Sequence, residues 1–225
     1  MSGILYIVAT PIGNLKDITV RAVEILNEVE IVIAENRARA LKLLSHLNIR
    51  KHIVSINSYN EGKKAHGIVE HLLRGKNCAL ISSAGTPCVS DPGNGVIKRC
   101  YEAGIEVKVA PGPSAATGAI SISGLYADRF LFFGFLPQKK GKKRKILREL
   151  LLFIYPIIFF ESPRRLVETL YCIYEEFGNR HVVVMKEMTK LHEEVLRGEI
   201  EELIGQLSGK ELKGEYTVIV DGRGK

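Results

Sequence analysis

Three loops rich in glycine and proline each follow a strand-like run, and each could bind a ligand mainly through its main chain. They are Thr10-Pro11-Ile12-Gly13-Asn14, Ser82-Ser83-Ala84-Gly85-Thr86-Pro87 with Ser90-Asp91-Pro92-Gly93, and Pro111-Gly112-Pro113-Ser114-Ala115. Glycine lets the backbone approach a ligand closely, proline fixes the turn, and the following helix start offers unpaired amides. Ligands of open α/β sheets bind beyond the carboxyl ends of the strands. The loops therefore predict a site for a nucleoside-like ligand, although each alone is also typical of an ordinary strand–helix turn.

Four acidic side chains stand at or just after the ends of strand-like runs, namely Glu35, Glu61, Glu161 and Glu187. A carboxylate at the end of a buried strand can have a shifted pKa and act as a general base. It can equally cap a helix or lie in solvent. Glu35 and Glu61 are the leading candidates for a base, because they belong to the half of the chain that carries the three loops.

Several other chemistries lack their motifs in this sequence. The phosphate loop GxxxxGK[ST], the dinucleotide loop GxGxxG, the hydrolase elbow GxSxG and the zinc motif HExxH are absent. His66 and Glu70 stand four residues apart on a predicted helix, where a solvent-exposed face is the simpler interpretation. The four cysteines form no CxxC pair and are expected to be reduced and mostly buried.

Positive charge is concentrated in one short segment. The chain has 32 Lys and Arg against 25 Asp and Glu, a net charge of +7, and Pro137–Arg148 contains seven basic residues and no acid. A local cationic patch favours a polyanionic partner, because lysines that neutralise phosphates release counterions, although such runs are often only solvated loops. We predict a basic loop over residues 138–148 that contacts RNA through Lys139, Lys140, Lys142, Lys143, Arg144 and Lys145.

The elements that position these residues follow from alternating patterns. The composition, 46% hydrophobic and 25% charged over 225 residues, is that of a globular protein. In the first half, strand-length runs alternate with amphipathic stretches, which predicts a parallel sheet covered on both faces. The runs are Ile4–Ala9, Ile31–Ala34, Ile53–Ile56, Cys78–Ile81 and Ile105–Val109. A change of pattern near Gly124 predicts two α/β domains, residues 1–124 and 125–225.

Membrane insertion is not expected from the hydropathy of the chain. The longest apolar run, Leu150–Phe160, has eleven residues and contains Pro156. A run of this length is too short to span a bilayer. The N-terminus leads directly into a strand pattern without the features of a signal peptide, so a cytoplasmic protein is expected.

Six blocks in register resemble the signatures of the ribosomal small subunit methyltransferase I family, a branch of the tetrapyrrole methylase superfamily. Three are the loops described above; the others are Gly134-Phe135-Leu136-Pro137, Glu161-Ser162-Pro163-Arg164-Arg165-Leu166 and Glu187-Met188-Thr189-Lys190. The resemblance covers residues 4–220. It implies two α/β domains with a cofactor cleft between them, S-adenosylmethionine as cofactor, and usually a homodimer. It also implies methylation of the ribose 2′-oxygen of a cytidine in 16S rRNA, with the small ribosomal subunit as partner.

The resemblance also implies roles for particular residues. Cofactor contacts are expected, by motif position, from Pro11, Ser83, Ala84, Gly85, Val89, Ser114, Ala115 and Leu136. From the needs of methyl transfer, and not from the resemblance, we expect Glu35 or Glu61 to remove the hydroxyl proton and Lys186 or Lys190 to offset developing charge, with no metal required. The family pattern Ala-Glu-Asp-Thr-Arg is Ala34-Glu35-Asn36-Arg37-Ala38 here, and an Asp of the second loop is replaced by Ser83.

Three other functions stay open at this stage. The first is a C-methyltransferase for a tetrapyrrole precursor, which is another polyanionic substrate. The second is a non-catalytic module that binds a nucleotide or RNA through the same loops. The third is a membrane-surface protein that uses the lysines and the apolar run after them.

Overall fold

The computed structural model describes residues 2–57 and 59–222, and the chain forms two compact units that divide between Ser114 and Ala115. The ends of the two predicted domains at residues 1 and 223–225 lie outside the described residues. The predicted domain boundary, between residues 124 and 125, falls ten residues after this division. The difference arises from the helix Ala115–Ile122, which packs against a strand of the second sheet, Tyr216–Val220.

The first unit is a parallel sheet covered by helices on both faces. Its strands are β1 (Leu5–Val8), β2 (Ile31–Ala34), β3 (His52–Ser55), β4 (Cys78–Ile81) and β5 (Val107–Ala110), in the order β3-β2-β4-β1-β5. Its helices are α1 (Val20–Glu28), α2 (Arg37–His46), α3 (Glu61–Leu73) and α4 (Asn94–Glu102). All five predicted runs are confirmed as strands, with ends shifted by at most two residues. The strands β2 and β4 are buried along their whole length, as expected for central strands of a parallel sheet.

The two faces of this sheet bury separate apolar clusters. Leu26 of α1 and Leu44 of α2 pack on one face, whereas Ile68 of α3 and Val96 of α4 pack on the other. Two of these helices begin at a side chain that accepts hydrogen bonds from backbone amides: Thr19 caps α1, and Asn36 caps α2 by accepting from two amides. Asn36, which stands where the family pattern has Asp, is thus the N-cap of α2.

The strand order creates a topological switch point between β1 and β4. These strands are neighbours, yet the chain leaves β1 toward β2 and leaves β4 toward β5, in opposite directions along the sheet. Because all five strands are parallel, their carboxyl ends lie at one edge. A crevice at such a switch point is the usual ligand site of an open α/β sheet.

The second unit is a mixed sheet with one large apolar cluster. Its strands are β6 (Leu131–Phe135), β7 (Ile157–Glu161), β8 (His181–Lys186), β9 (Glu194–Glu199) and β10 (Tyr216–Val220), in the order β6-β7-β10-β8-β9. Its helices are α5 (Ala115–Ile122), α6 (Lys140–Leu150), α7 (Leu166–Phe177) and α8 (Ile200–Leu207). β6 is parallel to β7, and β10 is antiparallel to both β7 and β8. The carboxyl ends of β6, β7 and β8 therefore share one edge.

The prediction of a basic loop over residues 138–148 is wrong, because most of this segment belongs to the helix α6. Lysine and arginine are good helix formers, and Leu147 is completely buried on the inner face. The strand β9 was also missed by the sequence patterns. It is a polar edge strand, so it lacks the apolar alternation that identifies a half-buried strand.

Candidate functional site

The three loops converge at the carboxyl edge of the first sheet. Thr10 and Gly85 exchange two backbone hydrogen bonds, each with an N–O distance of 2.9 Å, which joins the loop after β1 to the loop after β4. The Thr86 hydroxyl donates to the Pro113 carbonyl at 3.2 Å, which joins the second loop to the loop after β5. The predicted common edge for the three loops is therefore confirmed.

Gly85 lies at the centre of this junction and has little room for a side chain. Its φ is +79°, and a Cβ atom there would come within 3.2 Å of Ile12 Cγ2 and 3.5 Å of the Pro113 carbonyl oxygen. The carbonyl of Gly85 accepts a hydrogen bond from the Ser82 hydroxyl at 2.9 Å. The backbone at the switch point is thus fixed by its own contacts, and a glycine is needed there for the loops to pack together.

The residues expected to contact a cofactor differ in position. Six of the eight belong to the first unit, on or beside the converging loops: Pro11, Ser83, Ala84, Gly85, Val89 and Ser114. Pro11 and Gly85 are buried, whereas 53% of Val89 is exposed. Ala115 is the first residue of α5, and Leu136 follows β6, so both lie in the second unit. Contact with a cofactor stays a prediction for all eight residues.

Glu35 directly follows β2, at the same edge as the three loops, and is exposed. Asp91 lies in the segment between β4 and α4. Burial, followed by the negative charge of Glu35, raises the pKa of the Asp91 carboxyl. Because β2 and β4 are neighbours, the sheet brings these two carboxylates into electrostatic contact. Glu35 and Asp91 are far apart in the sequence, so the sequence patterns gave no indication that they interact.

Glu61 is the first residue of α3, and its carboxylate serves a neighbouring helix. The Oε1 atom accepts from the amides of Gly95 at 2.6 Å, Gly93 at 3.1 Å and Val96 at 3.3 Å. These amides form the first turn of α4, whose own N-cap residue is a glycine without a capping side chain. The uncapped Gly93-Asn94-Gly95 helix start is the sequence signal for such a partner.

At the carboxyl edge of the second sheet, Glu161 forms the centre of a buried polar network. Its Oε1 atom accepts from Arg165 Nε at 2.7 Å, and its Oε2 atom accepts from the Thr169 hydroxyl at 2.6 Å. Arg165 also donates to the Leu136 carbonyl at 3.2 Å. The Glu161 block of the sequence thus holds the main chain at the start of the β6–α6 connection.

Lys143 extends this network into α6 and is completely buried. Its Nζ atom lies 3.0 Å from the Thr169 hydroxyl and 3.2 Å from Glu168 Oε1. Such a position leaves Lys143 unable to reach a phosphate on the outer surface, so it is removed from the predicted RNA-binding set. The run of basic residues in the sequence does not indicate which of its lysines is buried.

Replacement of Lys143 by Ala is expected to destabilise the folded protein by about 3 kcal/mol, because it removes one member of a buried charged network. The matched change Lys142→Ala, at an exposed position on the same helix, should alter stability by less than about 0.5 kcal/mol. Urea unfolding followed by circular dichroism measures both. Equal midpoints for the two variants would contradict the structural role of Lys143.

The basic side chains outside the buried face of α6 differ in whether they form ion pairs. Arg144 pairs with Glu175 and Glu176, and Arg148 also pairs with Glu176. The four remaining lysines of the predicted set are exposed, and none of the ion pairs in the described part of the chain involves them. They are Lys139, Lys140, Lys142 and Lys145.

Lys186, at the end of β8, is held 3.5 Å from Glu194 across the strand pair. The turn that follows contains two non-glycine residues with positive φ, Glu187 at 51° and Thr189 at 65°. Lys190 binds Glu187 at 2.7 Å, and this hydrogen bond lowers the pKa of the Glu187 carboxyl. Backbone strain of this kind costs free energy and persists only where surrounding contacts over-determine it.

The cysteines do not offer a nucleophile. All four thiols are free, and three are buried, which confirms the prediction. Burial raises the pKa of Cys78 to about 12 and that of Cys88 and Cys100 to about 11, so these thiols stay neutral at pH 7.

Within residues 2–57 and 59–222, no group of three or more His, Cys, Asp or Glu side chains is arranged to hold a metal ion. No helix in the same ranges is long and apolar enough to cross a bilayer.

Comparison with known proteins places the chain in a family. Residues 4–204 match the family described as Tetrapyrrole (Corrin/Porphyrin) Methylases. A Thermotoga maritima protein named ribosomal RNA small subunit methyltransferase I is 44% identical over 221 residues, which cover 98% of this chain and 99% of that protein. A Bacillus subtilis protein of the same name is 41% identical over 220 residues, with 98% of this chain and 75% of that protein covered.

Two solved structures share the fold at low sequence identity. A precorrin-6Y methylase from Archaeoglobus fulgidus has a TM-score of 0.66 at 22% identity, with full coverage of both chains. A diphthine synthase has a TM-score of 0.74 at 16% identity, with 98% of this chain and 90% of that chain covered. With the converging loops at the switch point and the near full-length relatives, the chain belongs to the tetrapyrrole methylase family and, within it, to the ribosomal RNA small subunit methyltransferase I group.

Proposed function

We propose that this protein transfers a methyl group from S-adenosylmethionine to the ribose 2′-oxygen of a cytidine in 16S rRNA of the small ribosomal subunit. The observation that carries the proposal is the junction of three main-chain loops at the switch point of a parallel sheet. The names of the relatives, which are 41–44% identical over nearly the whole chain, support the substrate class.

The loop junction suits a nucleoside-containing cofactor. A Cβ atom at Gly85 would lie 3.2 Å from Ile12 Cγ2, and a Cβ atom at Gly112 would lie 3.0 Å from the Ala9 Cβ, so glycine at both positions allows the chain to pack closely there. The loops therefore meet through their main chains, and the junction presents main-chain groups rather than side chains at these two positions. We expect Pro11, Ser83, Ala84, Gly85, Val89 and Ser114 to hold the cofactor, with Ala115 and Leu136 as predicted contributors from the second unit. When bound, S-adenosylmethionine supplies the electrophilic methyl group.

The residues of this chain contribute orientation and proton removal. Fixed loops hold reacting groups in line, and effective molarities of ~10⁵ M or more are reached in well-oriented systems. Glu35 is proposed as the base that accepts the ribose hydroxyl proton, because it is exposed at the same sheet edge. Glu61 loses support as a base, since its Oε1 atom already accepts from three amides. Lys186 keeps its predicted role of offsetting negative charge.

The outer face of α6 is proposed to bind RNA phosphates. Lys139 at the N-cap and Lys140, Lys142 and Lys145 within α6 are exposed and carry charge that the described ion pairs leave unneutralised. Lys143 and Leu147 fix the helix on its buried side. Lysines on a fixed helix can contact successive phosphates without first ordering a loop. The proposal for a basic contact surface therefore narrows to Lys139, Lys140, Lys142 and Lys145, with Arg144 and Arg148 restrained by glutamates.

Replacement of these four lysines by Gln should flatten the log–log salt dependence of RNA affinity by about 0.7–0.9 for each phosphate that is no longer neutralised, or about 3 in total. Cofactor affinity should not change. The control is a variant in which four exposed lysines elsewhere are replaced by Gln, so that its net charge equals that of the first variant. These lysines are Lys42, Lys63, Lys98 and Lys210. Filter binding over a range of salt concentrations measures the slope. Equal slopes for the two variants would show that α6 is only a solvated surface.

The activity itself is tested with S-adenosylmethionine labelled in its methyl group. The protein is incubated separately with unmethylated small subunits, large subunits and a porphyrin precursor. Label in 16S rRNA that maps to a cytidine ribose supports the proposal. Label in the porphyrin precursor alone would favour a tetrapyrrole C-methyltransferase, and binding without turnover in every arm would favour a non-catalytic module.

A homodimer and a cytoplasmic location also stay proposals; light scattering tests the former, and cell fractionation tests the latter.

A further inference from the structure

The far end of the second loop is attached to a different helix by a single carboxylate. Glu61 Oε1 on α3 accepts hydrogen bonds from three amides in the first turn of α4. The first amides of a helix have no partner within the helix, and α4 has no capping side chain of its own. A negative charge at this position also interacts favourably with the helix dipole.

The backbone around this carboxylate leaves no space for other side chains. Gly93 has φ of +140°, and a Cβ atom there would lie 2.5 Å from Cys88 Sγ. A Cβ atom at Gly95 would lie 2.8 Å from Glu61 Oε1. Cys88 itself has a positive φ of 65°. The end of the loop is therefore shaped to bring its amides onto Glu61.

We infer that Glu61 is a positioning residue that clamps the second cofactor loop, and this inference rests on the proposed function. The loop starts at the Thr10–Gly85 bridge and ends at the amides bound by Glu61. Gly85 is the first fixed point, and Val89, another residue proposed to hold the cofactor, lies between Gly85 and the amides bound by Glu61. Clamping both ends keeps their main chain in the binding conformation before the cofactor arrives, which reduces the entropy lost on binding.

A positioning role and a base role predict opposite results for a conservative replacement. Glu61→Gln keeps a carbonyl oxygen that accepts hydrogen bonds, but it cannot take up a proton. Glu61→Ala removes both functions. Glu70→Ala changes an exposed carboxylate on the same helix α3 and is the matched control.

Three measurements are made on the full chain: S-adenosylmethionine affinity by calorimetry, the single-turnover rate at saturating cofactor, and hydrogen exchange of the Gly95 and Val96 amides without cofactor. Glu61→Ala should weaken cofactor binding about tenfold or more and speed the exchange of both amides. Glu61→Gln should restore affinity, rate and exchange to within about threefold of wild type.

Two results would overturn the inference. One is unchanged amide exchange in Glu61→Ala. The other is a rate loss of about 10²-fold or more in Glu61→Gln with unchanged cofactor affinity, which is the behaviour of a general base. If wild type binds no S-adenosylmethionine, the proposed function fails, while the exchange experiment still decides whether Glu61 is a clamp. If Glu61→Ala does not fold, Glu61→Asp, with a shorter side chain, replaces it in all three measurements.

Discussion

Glu35→Gln is expected to lower the single-turnover rate of methyl transfer by about 10²–10⁴-fold, because glutamine cannot accept the ribose hydroxyl proton. Glu35 is exposed after β2, at the edge where the three loops converge, and it lies close enough to Asp91 to influence its pKa. The substitution preserves size and hydrogen bonding, so cofactor and RNA affinity should persist. Rapid-quench methylation of unmethylated small subunits measures the rate.

The comparison variants decide what a loss of rate means. Glu70→Gln changes an exposed carboxylate away from the loop junction and should methylate at the wild-type rate. Asp91→Asn tests whether the neighbouring carboxylate shares the proton. If Glu35→Gln and Glu61→Gln both methylate at the wild-type rate, neither carboxylate is the base. Positioning with proton loss to water or to a lysine would then be the better account.

The wild-type protein is expected to bind S-adenosylmethionine with a micromolar dissociation constant, a binding free energy of roughly −8 kcal/mol. Gly85→Leu should raise this dissociation constant at least about 100-fold. A Cβ at this position already approaches Ile12 within 3.2 Å, and a leucine side chain would separate the loops or fill the space that the cofactor needs. Isothermal titration calorimetry measures the affinity. The smaller change Gly85→Ala should have an intermediate effect.

A second glycine separates the effect of blocked space from that of backbone strain. Gly104 has φ of +67° and no atom within 4 Å of its Cβ position, between α4 and β5. Gly104→Leu therefore introduces comparable strain without touching the loop junction. We expect it to lower stability but leave cofactor affinity unchanged. Equal cofactor affinities in Gly85→Leu and wild type would contradict the assignment of the loop junction as the cofactor site.

The local patterns of the sequence were sufficient to predict the first sheet and its loops. Runs such as Ile31–Ala34 are apolar at every position, which is typical of a strand buried on both faces, and the structure confirms them. Parallel connections then require the loops after β1, β4 and β5 to share an edge. The order of the blocks along the chain also identified the family, because several motifs in register are far more specific than one.

The roles of individual charged side chains were not predictable from the same patterns. Lys142 and Lys143 are adjacent in a basic run, yet one is exposed and the other is completely buried against Thr169. A helix turns by about 100° per residue, so neighbouring lysines face different surroundings, and a run of like charges does not reveal which face is apolar. Leu147, four residues after Lys143, shares its buried face.

The function of Glu61 likewise depends on contacts that are distant in sequence. Its oxygen binds the amides of residues 93, 95 and 96, more than thirty positions away, and the Thr10–Gly85 bridge joins residues 75 positions apart. Sequence alone determined the fold class, the family and which loops meet at the carboxyl edge of the first sheet, because these depend on local periodicity and motif order. The tertiary structure decided which carboxylate is engaged and which lysine is buried, because hydrogen-bond partners are set by how the elements pack.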